Sequence, residues 1–527
     1  MSVRWRIALF STLASLLFNA NAQMPPLQLD KDALANTVTN ALEAFNTPGM
    51  SVAITLNGEI IHAEGYGLAN VEQETPVTGH TYFRLASTSK AFTAAGLAVL
   101  VDEGLVNWDD KVIDYLPEFR LKDSYATEHF TVMDLLTHNS GLVSGAGDSM
   151  IWPEPSGFSR SEVVENLKYL TPEYAFKSQY AYSNVLYITA GQLIERVAKV
   201  PFDQFIESKV FAPLDMNCFV GAVNQEAVEH SAMSYGYDDE KGIYAIPRNA
   251  ITGDALMSAA AGGMVCNAYD MAKWAKALAT KTNLPFSQWQ LEKMWQGHTI
   301  LSVSDTDYEW DGTHFNSYGL GWRISNIGPY KFISHTGTLS GYQAYVGILP
   351  ELELGIVVLN NGSNYGARGS IMQTIVKAML GASAFDNTWI TAYQEYRAER
   401  QKRSLERYVA PEITAKMAIS AEDVIGEYQD TWFGSMTIYR EDDELRIKSS
   451  RMKTLTGTLS PFQDNRFKID WDNENAQSDA FIIFDLNASH MITGASLHPY
   501  SVRQQSNHEY RDMYFSKVEK LDISESD

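Results

Sequence analysis

The chain has little cysteine. Its 527 residues include two, Cys218 and Cys266. Two cannot build a disulfide framework or a cysteine-rich zinc site. The expectation is a pair of buried thiols, which an oxidising compartment would allow to join if they lie close enough. Bases are also scarce: 41 Lys and Arg face 64 Asp and Glu, giving a net charge of -23. Such a surface repels phosphate backbones and argues against a nucleic-acid partner. Metal-ligand spacing is lacking. His298, His314, His490 and His498 are scattered, and there is no HExxH, no phosphate loop and no dinucleotide fingerprint. No metal or cofactor is therefore expected. Repeats and low-complexity tracts are absent. What remains is ordinary globular composition, 45% hydrophobic and 20% charged, in a chain too long for one core.

One long apolar run stands out, IALFSTLASLLF at 7–18. It follows Arg4 and Arg6 and precedes Ala20-Asn21-Ala22, which offers small residues for cleavage before Gln23. The run is shorter than the roughly 20 residues a membrane span needs, and no cysteine follows it to carry a lipid. Residues 1–22 are read as an export signal. The product is expected to be periplasmic or secreted, with no membrane span once the signal is gone.

Hydropathy patterns divide the rest. A helical pattern covers 31–45. Residues 51–69 read as two strands joined at Asn57-Gly58, a pair that tolerates the positive φ of a tight turn. Residues 87–103, Ala-rich and stopped by Gly104, read as a buried helix. Further helical patterns cover 131–142, 184–200 and 267–278, the last after a loop AAGGMVC. Strand-like runs begin at Tyr318, Gly341 and Leu354, followed by a helix at 364–380. Strands at both ends with helices between predict an α+β fold. Its antiparallel sheet is completed by the two ends, flanked by helices, and carries a helical subdomain. Residues 385–417 read as a charged helical connector. Residues 418–520 carry short strands with turn signals, an all-β sandwich or small barrel. The first unit is thus placed at 23–384 and the β-module at 418–520.

Two Ser-x-x-Lys segments occur, Ser87–Lys90 and Ser450–Lys453. The second lies between short strands, where side chains three apart point to opposite faces. The first opens a helix, where residues i and i+3 share a face. There the helix N-terminus favours developing negative charge, and a lysine in apolar surroundings can lose its proton and activate the serine. Two further elements follow: Tyr182-Ser183-Asn184, 95 residues after Ser87, and His335-Thr336-Gly337, 153 residues later.

In this order and spacing the elements resemble those of the serine β-lactamase and penicillin-binding-protein superfamily, closest to its class C β-lactamase, D-aminopeptidase and esterase branch. LLTHNSGL (135–142), AGGMVCNAYDMAKW (261–274) and YGLGW (318–322) add to the resemblance, which covers about residues 30–380. The ending resembles the lipocalin-like β-domain of some relatives.

The resemblance implies a serine hydrolase working through a Ser87 acyl-enzyme. Lys90 and Tyr182 would share the proton work, with a cationic Lys90 depressing the Tyr182 pKa. Asn184 would bind the substrate amide or Lys90. The backbone N–H groups of Ser87 and Thr338 would form the oxyanion hole. Gly337 would leave room for substrate against its strand. His335 stands where β-lactamases hold a lysine that grips the substrate carboxylate, and histidine is mostly neutral at pH 7. That shifts the expected substrate toward a small ester or a short peptide, including D-residue and cell-wall peptides. The alternatives are a true β-lactamase or D,D-carboxypeptidase, and a non-catalytic penicillin-binding or assembly protein of the same fold. His138 is expected to fix a loop. Oligomeric state is left open.

Overall fold

The computed structural model describes residues 29–223, 225–247, 256–408, 411–473, 479–500 and 510–519. The export-signal segment, residues 1–22, lies outside the described residues. A nine-stranded antiparallel sheet organises the first part of the chain. From edge to edge its strands are Thr75–Pro76, Glu59–Asn70, Gly49–Leu56, Leu354–Asn360, Tyr342–Leu349, Tyr330–Leu339, Arg323–Ile327, Asn316–Tyr318 and Thr299–Leu301. Both ends of this region do complete one sheet: Val52 faces Val358 and Ile54 faces Ile356 across the join. The hairpin at Asn57-Gly58 forms with φ of 50° and 78°, the left-handed pair that a two-residue turn requires.

The strand Leu354–Asn360 is apolar almost throughout because both of its faces are covered. Ile356 and Val358 pack with Leu34, Val38, Ile371 and Ile375 from the helices Lys31–Ala44 and Tyr365–Met379. Val357 and Leu359 enter the other core, with Phe92 and Trp274. The helix Ser89–Asp102 is buried on all sides through Leu100, which explains its lack of an amphipathic pattern.

Three local expectations differ from the structure. Residues 131–142 form one 3₁₀ turn, Met133–Leu135, and then a loop. His138 (φ 57°) and Gly141 (φ 93°) turn the chain there, so LLTHNSGL mimics a helical period without forming one. AAGGMVC is a π-helical turn, Ala259–Gly263, running into the strand Met264–Asn267. That strand pairs with Tyr82–Arg84 and Phe219–Val220 in a small second sheet. Cys218 and Cys266, expected as thiols, form a disulfide beside it, with Cα atoms 4.5 Å apart.

After the 20-residue helix Thr388–Arg407 comes a closed eight-stranded barrel from Gly426 to Lys517. Burial alternates along its strands, as in Arg466–Trp471, where Phe467, Ile469 and Trp471 point inward. The barrel and the sheet region share one continuous apolar core. Phe433 of the barrel meets Phe158, and Met452 bridges Ser156. Among the described residues no helix is long and apolar enough to cross a membrane.

Candidate active site

The turn that presents Ser87 is strained. Ala86 has φ 48°, unusual for a residue with a side chain, and a 3₁₀ turn Ala86–Thr88 precedes the α-helix from Ser89. Ser87 thus sits one turn before the helix proper, partly exposed, while Lys90 hangs below it fully buried. Lys90 Nζ lies 3.3 Å from Ser87 Oγ, 2.8 Å from Asn184 Oδ1 and 2.6 Å from the Ala261 carbonyl. Its burial pulls the ammonium pKa down to about 7, against an upward pull from Asp148.

Asn184 opens the helix Asn184–Ala198, and its Nδ2 donates to Asp148 Oδ2 at 2.9 Å. Asp148 follows Gly147, whose φ of 79° sets the bend. The carboxylate therefore holds the amide with its oxygen toward Lys90. Tyr182 stands two residues before Asn184. Lys90 Nζ is 4.7 Å from its ring centre. Burial keeps the Tyr182 hydroxyl well above the ordinary tyrosine range, with Ser87 pulling it the other way. Among the described residues the hydroxyl has no well-formed hydrogen bond. The expected depression of Tyr182 by a cationic Lys90 is thus reversed: desolvation raises the Tyr182 pKa, and the group that burial moves toward neutrality is Lys90.

His138 fixes this segment by two bonds. Its carbonyl accepts from Ala181 N (2.7 Å), and its Nδ1 accepts from Ser183 N (3.1 Å). Its ring lies against Tyr182, centroids 4.3 Å apart.

His335 lies on the strand Tyr330–Leu339 and is 2% exposed. Its Nδ1 is 2.8 Å from the Thr336 carbonyl, which can only accept, so Nδ1 carries the proton. Nε2 then accepts from the Tyr318 hydroxyl at 2.9 Å. Burial holds the ring well below the ordinary histidine pKa, helped by the nearby cations Arg323 and Lys90. A neutral ring with both nitrogens engaged offers no charge to a carboxylate, and its Nε2 orients Tyr318. Gly337 is needed for close packing. A Cβ there would lie 2.2 Å from the Leu85 carbonyl, so glycine lets the strand close on the Ser87 turn. The register with Arg323–Ile327 ends at Ser334, so, among the described residues, 335–339 have a strand partner on one side only. Their other side is the open edge on which Thr336 and Thr338 keep exposure.

Sequence reasoning missed four participants. Asp148 orients Asn184. Arg323, inside YGLGWRI, is half-buried, donates to Tyr180 Oη at 3.2 Å, and has no carboxylate partner among the described residues. A lone arginine opening an apolar strand was its signal. Arg368 contacts Gly337 and Thr338 from behind. Arg84, three residues before Ser87, forms a bidentate pair with Glu154 (2.7 and 3.1 Å), the side chains 1% and 8% exposed. Among the described residues no group of three His, Cys, Asp or Glu is arranged to hold a metal ion.

Comparison with known proteins agrees with this architecture. The family model described as Beta-lactamase matches residues 34–376, and that of a domain of unknown function (DUF3471) matches 411–517. The chain is 25% identical over 445 residues to Unguisins hydrolase ungD' of Aspergillus campestris, covering 81% of each. It is 25% identical over 328 residues to Protein flp of Staphylococcus aureus, covering 62% of this chain and 61% of that one. The fold is similar to the octameric penicillin-binding protein homologue from Pyrococcus abyssi, with a TM-score of 0.59 and 23% identity over 93% of this chain and 100% of that one. It is also similar to the D-amino acid amidase from Ochrobactrum anthropi, with a TM-score of 0.55 and 24% identity over 66% and 99%. With two thirds of its length matched by that first model, the chain belongs to the Beta-lactamase family and is a serine hydrolase of it.

Proposed function

We propose that the protein is an exported acyl-transfer enzyme that cleaves a small ester or a short peptide amide, D-residue peptides included. The observation that carries this reading is a fully buried Lys90 amine, 3.3 Å from a partly exposed serine hydroxyl. Near neutrality the amine spends much of its time with a free lone pair. Neutral Lys90 takes the Ser87 proton as Oγ attacks the carbonyl. The backbone N–H groups of Ser87 and Thr338 receive the oxyanion, each contributing roughly 3 kcal/mol. Tyr182, protonated at neutral pH, hands a proton to the leaving group and is restored by Lys90. Water then releases the acyl group by the reverse relay.

Arg323 supports a substrate carrying a carboxylate, since it is the cation beside Tyr180 and Tyr318 where His335 is neutral. That favours peptides with a free C-terminus among the candidates and keeps β-lactams in the assay panel. The amidase and hydrolase names of similar proteins fit amide cleavage. The Cys218–Cys266 bond suits an oxidising compartment, consistent with the signal-like first 22 residues.

Intact-protein mass after fluorophosphonate treatment tests the mechanism. One adduct is expected on the mature protein and none on Ser87→Ala. An adduct persisting in Ser87→Ala, or none in either, refutes it. Rates on p-nitrophenyl esters, D-amino acid amides, D-Ala-D-Ala peptides and nitrocefin then rank the substrates.

A further inference from the structure

Arg368 is a deeply buried cation near the site that the mechanism does not use. It rises from the helix Tyr365–Met379 behind the sheet and is 7% exposed. Among the described residues no carboxylate pairs with it. Its guanidinium donates instead to the Gly337 carbonyl, to the Ala344 carbonyl at 3.2 Å and to Thr338 Oγ1 at 2.9 Å. Burying a guanidinium without a counter-ion is costly, and a packing role would be met by an apolar side chain. Burial lowers its pKa only to about 10, so it remains a cation at neutral pH.

We propose that Arg368 is a positioning residue for the oxyanion hole, aiming and polarising the single peptide group that joins Gly337 to Thr338. The inference rests on the acyl-enzyme reading above. The Gly337 carbonyl and the Thr338 N–H belong to one planar amide and point in opposite directions. Gly337 pairs with Ala344, and one Arg368 nitrogen donates to both of their carbonyls, so the two carbonyls face each other between the strands. The Thr338 N–H must then face the open edge, where residues 335–339 have no second strand among the described residues. A charged donor on the carbonyl draws electron density from the N–H end and strengthens it as a donor. It also sets a positive charge one peptide behind the position of the oxyanion. Both effects act on charge that develops in the transition state and little on the neutral ground-state carbonyl.

The test compares Arg368→Gln and Arg368→Lys with wild type. The readouts are fluorophosphonate acylation rate, affinity for a phenylboronic acid whose adduct places an oxyanion in the hole, and thermal midpoint. Arg368→Gln is expected to slow acylation and weaken the boronate together, by roughly 10- to 100-fold, with KM for an ester nearly unchanged. Arg368→Lys, which keeps the charge and loses the fork, is expected to fall between. Should Arg368→Gln fail to fold, the Lys variant carries the comparison. Acylation and boronate affinity within about twofold of wild type in the folded variants, or losses confined to KM and thermal midpoint, overturn the inference. Absence of any Ser87 adduct in the wild type overturns the acyl-enzyme reading and this inference with it. An adduct that forms as fast in both variants overturns this inference alone.

Discussion

Ser87 and Ser450 each stand three residues before a lysine, and the structure puts them to opposite uses. Ser87 lies on a strained turn with Lys90 folded beneath it, buried and held by three acceptors. Ser450 lies in a bend after the barrel strand Glu444–Ser449, its hydroxyl accepting from Ser435 N at 2.9 Å, with Lys453 exposed. Chemistry comes from the helix that follows the first serine and from the burial of its lysine. The second segment works as a docking loop. Arg451 donates to the Gly157 carbonyl and to Glu162, each at 2.7 Å, and Thr454 donates to the Glu154 carbonyl at 3.1 Å. Glu154 is the partner of Arg84, on the strand that leads into Ser87. The decoy motif thus braces the loop that pairs with the approach to the real one.

Breaking each half should separate the roles. Ser87→Ala and Lys90→Met should each lower acylation by about 10⁴-fold or more, whereas Ser450→Ala should leave it within about twofold. Stopped-flow labelling with fluorophosphonate reads both. A comparable loss in Ser450→Ala would erase the distinction. Next in size is the brace itself. Glu154→Gln removes the carboxylate from the buried pair with Arg84 and should cost about 3–5 kcal/mol of unfolding free energy. A denaturant titration that moves by less than about 1 kcal/mol would show that the pair is dispensable.

The real pair is also separable by pH. Lys90 is active when neutral, and burial sets its pKa at about 7. Acylation should therefore fall about tenfold for each pH unit below that value and level off above it. Asp148 raises the Lys90 pKa, so Asp148→Asn should move the inflection to lower pH. A flat profile between pH 5 and 9, or an inflection moved upward, would remove Lys90 as the base.

The sequence and the structure agree where local pattern decides. The hairpin at Asn57-Gly58, the buried helix after Ser87 and the joining of both ends in one sheet were legible. So was the order of Ser87, Tyr182 and His335. Three-dimensional proximity was not. Arg368 reads as one cation on a helix pattern, 31 residues beyond Gly337, and only the fold brings it behind Thr338. Cys218 and Cys266 lie 48 residues apart, a spacing that carries no distance. Ionisation was misread at Tyr182 for the same reason, since its pKa follows from desolvation. His335 was read as mostly neutral, and burial holds it so. LLTHNSGL fails as a helix because His138 takes a left-handed conformation to reach Ala181 and Ser183.

The smallest expected effect sharpens the comparison most. Arg451 pairs with Glu162, both side chains part-exposed at 29% and 41%, and stacks over Phe158 at 4.2 Å. Water screens the ion pair, so Arg451→Ala should cost only about 1 kcal/mol of stability. Its catalytic consequence depends on whether the brace transmits to Ser87. If the loop 154–162 is held mainly by the Arg84–Glu154 pair, acylation by Arg451→Ala should stay within about twofold of wild type while Glu154→Gln does not. The stability loss of the double variant Arg451→Ala/Glu154→Gln should then exceed the sum of the two single losses, because each contact limits the freedom released by losing the other. Additive losses would mean that the barrel rests on the sheet region without bracing it, and that the two Ser-x-x-Lys segments share only their spacing.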